Sequence, residues 1–190
     1  MRKAIVVGGS LGGLLAANLL HRQGWHVNVY ERVAEELEGR GAGIVTHGEL
    51  LEVLEACEVS TDESIGVSVQ ERVTLAQDGS VAGRLALPQV LTAWSRLFHE
   101  LKQALPAERY HNGMKLSSLS QDEDGVTAGF ENGTNVRADL LVGADGILPE
   151  MGALDSGYPV RPGQTVHEAI AETGITAALL AREPGLRVYA

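Results

Sequence analysis

Several residue types and patterns are scarce in this chain of 190 residues, and each scarcity excludes a class of protein. Cys57 is the single cysteine, which excludes an internal disulfide framework and favours a reducing compartment. No apolar run approaches the roughly 20 residues of a membrane-spanning helix. The net charge is −10 without any block of lysine and arginine, which argues against binding to nucleic acid or to an anionic membrane. The apolar run at residues 4–7 is too short for a signal peptide, so we expect a soluble cytoplasmic protein.

The first 31 residues carry the pattern of a βαβ unit. Residues 3–7 form a short β-branched run that ends at glycine, which predicts a strand buried on both faces. Residues 11–22 have apolar side chains at helical spacing, and Gly24 predicts the end of that helix. Residues 26–31 alternate valine with polar neighbours and predict a second strand. The three elements together predict a right-handed unit with parallel strands.

The sequence GGSLGG at residues 8–13 lies between the first predicted strand and the helix, where dinucleotide-binding fingerprints occur. Gly8 permits the tight turn out of the strand. Ser10 occupies the place of the second glycine, where a small residue lets the backbone approach a pyrophosphate, and Gly13 lets the helix pack closely on the sheet. We therefore expect the N–H groups at the start of this helix to face phosphates.

Glu31 ends the second predicted strand, 18 residues after Gly13. A carboxylate at this position accepts hydrogen bonds from the adenosine ribose, and it disfavours a 2′-phosphate. The tightly bound nucleotide is therefore not expected to be NADP. These residues alone leave NAD and FAD open.

The rest of the chain predicts further helices and strands. Helices are predicted over residues 33–38, 49–57 and 91–105. Strands are predicted over residues 66–87 with a turn at 78–79, in an antiparallel β-meander around residues 124–125 and 132–133, and in a buried strand at 138–142. The fold class is therefore α/β, a Rossmann-like βαβ unit with a parallel sheet and an inserted antiparallel β-meander.

Two later segments bear on the choice of dinucleotide. RGAGI at residues 40–44 follows the second strand, and LLVGADG at residues 140–146 brings Asp145 and Gly146 to the carboxyl end of a strand, where ligands bind in such sheets. Together with GGSLGG and Glu31, these segments resemble the FAD-dependent aromatic monooxygenases of the para-hydroxybenzoate hydroxylase fold. The GIV segment at residues 43–45 and the run at residues 106–111 resemble the 2,6-dihydroxypyridine 3-monooxygenase-like enzymes within that family. The resemblance covers residues 1–146.

The resemblance implies an FAD-binding domain over residues 1–146 and a role for each matching residue. By this resemblance, the pyrophosphate would be contacted by Gly8, Ser10, Leu11 and Gly13, the ribose by Glu31 and the adenine by Arg32. Arg40 would contact the pyrophosphate or the ribityl chain, and Gln89 the flavin side chain. Asp145 and Gly146 would contact the flavin and nicotinamide nucleotides. The family hydroxylates a small aromatic or heteroaromatic ring, with NADH or NADPH as transient reductant and O₂ as co-substrate. A homodimer is compatible with this resemblance, and no metal is implied.

The chain departs from the family pattern at two places. Relatives have an arginine three residues before the position of Leu97, where this chain has Trp94, and Arg96 would lie on a different face of the helix. After Gly146, relatives continue with serine and arginine, a substrate-binding sheet and a Gly-Asp motif, none of which residues 147–190 show. We therefore expect an incomplete form of the enzyme, with an atypical, frame-shifted or poorly ordered tail over residues 147–190.

Two alternatives to the monooxygenase remain at this point. One is an NAD-dependent oxidoreductase with a Rossmann core, although the β-meander interrupts the strand–helix alternation of such chains. The other is a non-catalytic remnant that binds a nucleotide. The role of His47, which follows the GIV segment, is also open between a contact to flavin or substrate and a structural or solvated position.

Overall fold

The computed structural model describes residues 1–35, 37 and 43–145. Its helices are α1 (Leu11–Arg22), α2 (Gly48–Ala56) and α3 (Trp94–Gln103), with short 3-10 helices at Glu63–Ile65 and Ala107–Arg109. Its strands are β1 (Lys3–Val7), β2 (His26–Tyr30), β3 (Gly43–Val45), β4 (Val67–Leu75), β5 (Val81–Ala93), β6 (Tyr110–His111), β7 (Leu116–Asp122), β8 (Gly125–Phe130), β9 (Asn135–Ala138) and β10 (Leu140–Gly143). Within these residues, no helix is long and apolar enough to cross a membrane.

A four-stranded parallel sheet carries the predicted βαβ unit. Its strand order is β10-β1-β2-β6, with all three neighbouring pairs parallel. β1 is buried from its second residue onward because its apolar side chains are covered on both faces. The chain runs from β1 through β2 to β6 in one direction, and β10 then pairs with the other side of β1. The strand order therefore reverses at the carboxyl ends of β1 and β10, the place where open α/β sheets bind ligands.

Two antiparallel sheets are inserted between the parallel strands. β7, β8 and β9 form the predicted meander, and the turn that contains Gly133 brings Val126 of β8 opposite Ala138 of β9. A second sheet with the order β3-β5-β4 joins the GIV segment to a long hairpin. The α/β class with an inserted meander is confirmed.

Two predictions from the sequence are wrong, one on a helix boundary and one on the burial of a strand. The helix predicted from Leu91 begins at Trp94, because Leu91 belongs to β5 and pairs with both Val45 and Val67 in the antiparallel sheet. β10 is half-buried at residues 140–142 and exposed at Gly143, so it is not the buried strand that its apolar sequence predicts. The helix predicted at residues 33–38 lies in part outside the described residues.

The helices pack against the parallel sheet and against each other through two apolar clusters. One cluster joins α1, α2 and α3 and includes Leu14, Leu54 and Phe98, all fully buried. The other lies between α1 and the parallel sheet and includes Val6, Ala17 and Val29. Each fully buried side chain of this size contributes about 1.5–3 kcal/mol to folding. The packing holds the start of α1 in a fixed position over the carboxyl end of β1.

Candidate functional site

The turn between β1 and α1 depends on a glycine at position 8. Gly8 has a φ of +103°, a conformation that L side chains rarely adopt. A Cβ there would also collide with the carbonyl group of Ala144 and lie 2.7 Å from the backbone nitrogen of Asp145. The N–H of Gly8 donates to the carbonyl oxygen of Tyr30 at 2.9 Å. The turn is therefore fixed by β2 on one side and by the end of β10 on the other.

The N-terminus of α1 is open toward this turn. Ser10 is the N-cap residue, and its side chain makes no capping hydrogen bond. The first turn of the helix contains no acidic residue. The first N–H groups of a helix have no partner within the helix and carry a partial positive charge, so this end of α1 can bind an anion.

The small residues in the first turn serve two different purposes. A Cβ at Gly13 would collide with the carbonyl oxygen of Gly8, so Gly13 is required for the close approach of α1 to the turn. Among the described residues, a Cβ at Gly12 would meet no atom within 4 Å beyond its chain neighbours and the backbone of its own helix. The absence of a side chain at Gly12 therefore leaves space beside the helix N-terminus. The side chain of Leu11 packs against the apolar cluster, which leaves its backbone N–H for a ligand.

Glu31 lies at the end of β2 with its carboxylate directed into the glycine turn. The residue is 7% exposed. Its Oε2 accepts a hydrogen bond from the Gly9 N–H at 2.7 Å, and its Oε1 accepts one from the Val33 N–H at 2.9 Å. Each carboxylate oxygen has a second lone pair, so the group can also accept hydrogen bonds from a sugar hydroxyl. The predicted acid is thus brought to the predicted glycine loop.

Asp145 lies at the same end of the sheet. The Ala144 N–H donates to the carbonyl oxygen of Val7 at 2.7 Å, which continues the pairing of β10 with β1 up to the turn. Asp145 itself is half-buried. Residues from three strands therefore meet where the strand order reverses.

An aromatic stack supports the end of β2. The ring of Tyr30 stacks on that of His111, with centroids 4.9 Å apart, and contacts the ring of Phe130 at 4.7 Å. Burial raises the pKa of Tyr30. Burial, and to a lesser extent the Arg109 guanidinium, lower the pKa of His111, so the neutral ring is favoured. The stack keeps Tyr30 and the backbone that leads to Glu31 in place.

A family model described as an FAD-binding domain matches residues 1–152. The chain belongs to the FAD-binding domain family. The dinucleotide is therefore FAD, and the family match does not favour the NAD-dependent oxidoreductase.

One known sequence and two solved structures show the similarity in detail. The 2,6-dihydroxypyridine 3-monooxygenase of Paenarthrobacter nicotinovorans is 38% identical over 142 residues, which cover 74% of this chain and 36% of that protein. The structure of 2,6-dihydroxypyridine-3-hydroxylase from Arthrobacter nicotinovorans superimposes with a TM-score of 0.72 at 35% identity, over 80% of this chain and 38% of that one. The tetrameric form of 2-methyl-3-hydroxypyridine-5-carboxylic acid oxygenase gives a TM-score of 0.69 at 28% identity, over 79% of this chain and 41% of that one. The chain thus spans less than half the length of these relatives.

The residues of this FAD-binding domain fit the cofactor at two points. The open N-terminus of α1 offers N–H groups to a pyrophosphate, and the space at Gly12 leaves room beside them. Glu31 offers a fixed carboxylate at the place where an adenosine ribose is expected. Arg32 follows it and is exposed.

Gln89 and His47 lie at a different place in the FAD-binding domain. Gln89 is half-buried on β5 and lines a cavity of about 330 Å³ together with His47, Thr46 and Gln70. His47 is the N-cap residue of α2, and its Nδ1 accepts a hydrogen bond from the Leu50 N–H. The structure therefore gives His47 a structural role and leaves a contact to flavin as a prediction.

Trp94, which stands where relatives have an arginine, has a structural role. The indole of Trp94 stacks on the ring of Phe98, with centroids 4.9 Å apart. The guanidinium of Arg96 contacts the Glu100 carboxylate at 3.1 Å, so Arg96 pairs along the surface of α3. Two other predicted residues, Arg40 and Gly146, lie outside the described residues.

Two residues that shape the glycine turn, Gly9 and Tyr110, were not predicted as site residues. The hydroxyl of Tyr110 donates to the carbonyl oxygen of Gly9 at 2.9 Å. Gly9 stands at a position that the fingerprint leaves unrestricted, and this additional glycine was the available signal for a close contact. The run at residues 106–111 contains Tyr110 but gives no local signal for this role, because the role depends on a contact between residues 101 positions apart.

Proposed function

We propose that this chain is the FAD-binding part of a monooxygenase that hydroxylates a small aromatic or heteroaromatic ring. NADH or NADPH would serve as the reductant, and O₂ as the co-substrate. The observation that carries the proposal is the meeting of Gly8, Glu31 and Asp145 at the carboxyl ends of β1, β2 and β10. The similarity to two pyridine-ring oxygenases supports the heteroaromatic substrate class.

Each predicted site residue has a task in this proposal. The pyrophosphate would be held by the backbone of the glycine turn, the ribose by Glu31, the adenine by Arg32, and the flavin nucleotide by Asp145. Arg40, Gln89 and Gly146 keep the contacts that the family resemblance implies. FAD supplies the redox chemistry when it is bound, and the chain binds and orients it.

The charge and geometry of the turn make the binding of FAD to this part of the chain favourable. A pyrophosphate carries negative charge, which the N-terminus of α1 attracts, and the first turn of α1 contains no acidic residue of its own. The Glu31 carboxylate accepts hydrogen bonds from two backbone N–H groups, which hold it in one orientation before a ribose arrives. Less conformational freedom is then lost on binding, which increases affinity.

FAD binding is tested with the purified 190-residue chain. We expect a yellow protein with about one FAD per chain after gel filtration, and quenching of flavin fluorescence when FAD is added to the apoprotein. Glu31→Gln should weaken this quenching, whereas Glu71→Gln on the exposed hairpin should not. A folded, colourless chain that binds NADH alone would support a dehydrogenase. A folded chain that binds neither nucleotide would overturn the proposal.

Ring hydroxylation is tested separately, by incubating the FAD-loaded chain with NADH or NADPH and a panel of hydroxypyridines under ¹⁸O₂. Incorporation of one ¹⁸O atom into the ring, detected by mass spectrometry, would support the activity. FAD binding without ring oxidation in any member of the panel would reduce the proposal to a nucleotide-binding remnant.

Two further parts of the proposal concern the protein in the cell. We propose a cytoplasmic location, because the single cysteine is buried and unpaired. Fractionation of cells that express the chain tests this. Homodimer formation is a further prediction, which light scattering of the purified protein tests; a mass equal to one chain at micromolar concentration would contradict it.

A further inference from the structure

The two peptide groups on either side of the Gly9 Cα are each held by a side chain from a neighbouring strand. The N–H of Gly9 donates to Oε2 of Glu31 at 2.7 Å. The carbonyl oxygen of Gly9 accepts from the hydroxyl of Tyr110 at 2.9 Å. Glu31 follows β2, and Tyr110 lies on β6, the edge strand of the parallel sheet. Two strands thus determine the path of the backbone between β1 and α1.

The ring of Tyr110 is itself held firmly. Its backbone is paired with Val29 of β2. The ring of Phe98 contacts it edge to face, with centroids 6.4 Å apart at 85°, and the ammonium of Lys102 lies 4.7 Å from its centroid. Aromatic and cation–π contacts of this kind each contribute additional stabilisation beyond apolar burial. The hydroxyl of Tyr110 is therefore presented to Gly9 from a fixed position.

The bond to the Gly9 carbonyl also orients the next N–H group. The described residues contain no cis peptide bond, and in a planar trans peptide the C=O and N–H bonds point in opposite directions. Because the Gly9 carbonyl points to Tyr110, the Ser10 N–H points away from it. Ser10 is the N-cap of α1, at the end of the helix that attracts anions.

We propose that Tyr110 is a positioning residue for the dinucleotide. It holds the Gly9–Ser10 peptide so that the Ser10 N–H is directed to a phosphate oxygen, and its ring makes glycine obligatory at position 9. The inference rests on the proposed function, because it requires that this turn binds the pyrophosphate of FAD.

The requirement for glycine at position 9 comes from the tyrosine ring and not from the backbone. Gly9 is not among the glycines with positive φ, so its backbone conformation is open to other residues. A Cβ at this position would collide with the hydroxyl of Tyr110 and would lie 2.6 Å from its Cζ and 2.9 Å from its Cε2. The ring cannot turn away easily, because Phe98 and Lys102 contact it. Gly9 and Tyr110 therefore form a coupled pair.

The first experiment removes the hydroxyl alone. Tyr110→Phe keeps the ring, and we expect it to raise the Kd for FAD about 5-fold, as expected for one neutral hydrogen bond. The ³¹P resonances of the bound FAD pyrophosphate should also shift, since the Ser10 N–H is no longer fixed. Thr92→Val is the matched control, because it removes a hydroxyl on β5 that donates to the carbonyl oxygen of Ile65 in a short 3-10 helix. It should change neither the Kd nor the ³¹P shifts, even where it lowers the stability of the apoprotein.

The second experiment tests the coupled pair. Gly9→Ala should weaken FAD binding at least 10-fold in the wild-type background and much less in a Tyr110→Val background. An equal loss in both backgrounds would contradict the inference, as would a Tyr110→Phe chain with wild-type affinity and unchanged ³¹P shifts. If the wild-type chain itself does not bind FAD, the proposed function fails and the inference fails with it. If the wild-type chain binds FAD and the variants bind it with unchanged affinity, the inference fails and the proposed function stands.

Discussion

The side-chain amide of Asn18 in α1 donates a hydrogen bond to the carbonyl oxygen of Leu101 in α3 at 2.9 Å. The same Nδ2 also donates to the carbonyl oxygen of Leu14 within α1. Leu101 lies in the last turn of α3, where helical carbonyl groups lack partners within the helix. Asn18 is fully buried, so this contact joins the two helices inside the core.

Substitution of Asn18 by alanine should lower the free energy of unfolding by about 1–3 kcal/mol, because the buried Leu101 carbonyl loses its partner. Urea denaturation followed by circular dichroism measures the change. Asn135→Ala on the exposed edge of β9 is the control and should stay within about 0.5 kcal/mol of wild type. Equal stability of the two variants would show that the contact between α1 and α3 contributes nothing.

Alanine substitutions of Gly12 and Gly13 in the first turn of α1 should change the stability of the protein in opposite directions. Gly13→Ala should prevent stable folding or FAD binding, because its Cβ would collide with the Gly8 carbonyl oxygen. Gly12→Ala should raise the unfolding free energy of the apoprotein by up to about 1 kcal/mol, because its Cβ would collide with none of the described residues and alanine favours the helix. Thermal unfolding of both variants checks the signs. A stable Gly13→Ala chain with normal FAD affinity would mean that α1 can move away from the turn.

Loss of the Glu31 carboxylate should affect both folding and cofactor affinity. Glu31→Ala leaves the N–H groups of Gly9 and Val33 without their acceptors and removes the proposed ribose contact. We expect a loss of about 1–3 kcal/mol in FAD binding, measured by fluorescence titration. Glu71→Ala removes a carboxylate from a surface ion pair with Arg84 and serves as the control. Unchanged affinity in Glu31→Ala would rule out the ribose assignment.

The protein should become less stable in mild acid, because protonation of His111 is less favourable in the folded state than in the unfolded state. Burial is the main reason that its pKa in the folded protein lies below the ordinary value of 6.5, and Arg109 adds to it. The unfolded chain therefore binds a proton at a higher pH than the folded chain does. The associated stability is fully present above pH 6.5 and is lost as the pH falls through the lower pKa of the folded state.

The test compares unfolding free energies measured between pH 7.5 and pH 5. His111→Gln should reduce the slope of stability against pH, and Arg109→Gln should reduce it by a smaller amount because it removes only the second cause. His26, whose pKa is also lowered, accounts for part of the remaining slope. A slope in His111→Gln equal to that of wild type would exclude this histidine as the source.

The parts of the fold that were predicted correctly depend on local pattern. β1 and α1 begin and end where the sequence indicates, because apolar periodicity and glycine mark both ends. The position of Glu31 beside the glycine turn followed from its place at the end of the second strand and its spacing from Gly13, since the βαβ unit has a nearly fixed length. The start of α3 was misplaced because Leu91 fits a helical stripe and a strand equally well, and only its pairing with Val45 and Val67 decides between them.

The features that were missed depend on distant contacts. β6 contains only Tyr110 and His111, and two residues carry no periodicity. Its place beside β2 and the contact of Tyr110 with Gly9 are set by packing of the whole sheet. The half-buried state of β10 likewise depends on its neighbours and not on its apolar sequence.

The close packing of Gly8 against Ala144 and Asp145 has a consequence for the order of events during synthesis. β1, α1 and β2 can pair as soon as they leave the ribosome, because their contacts are close in sequence. The turn after β1 acquires its final boundary only when β10 has been made, more than 130 residues later. Such distant pairing slows folding because a long loop must be closed first. A nascent chain should therefore become competent to capture its cofactor only after β10 has emerged.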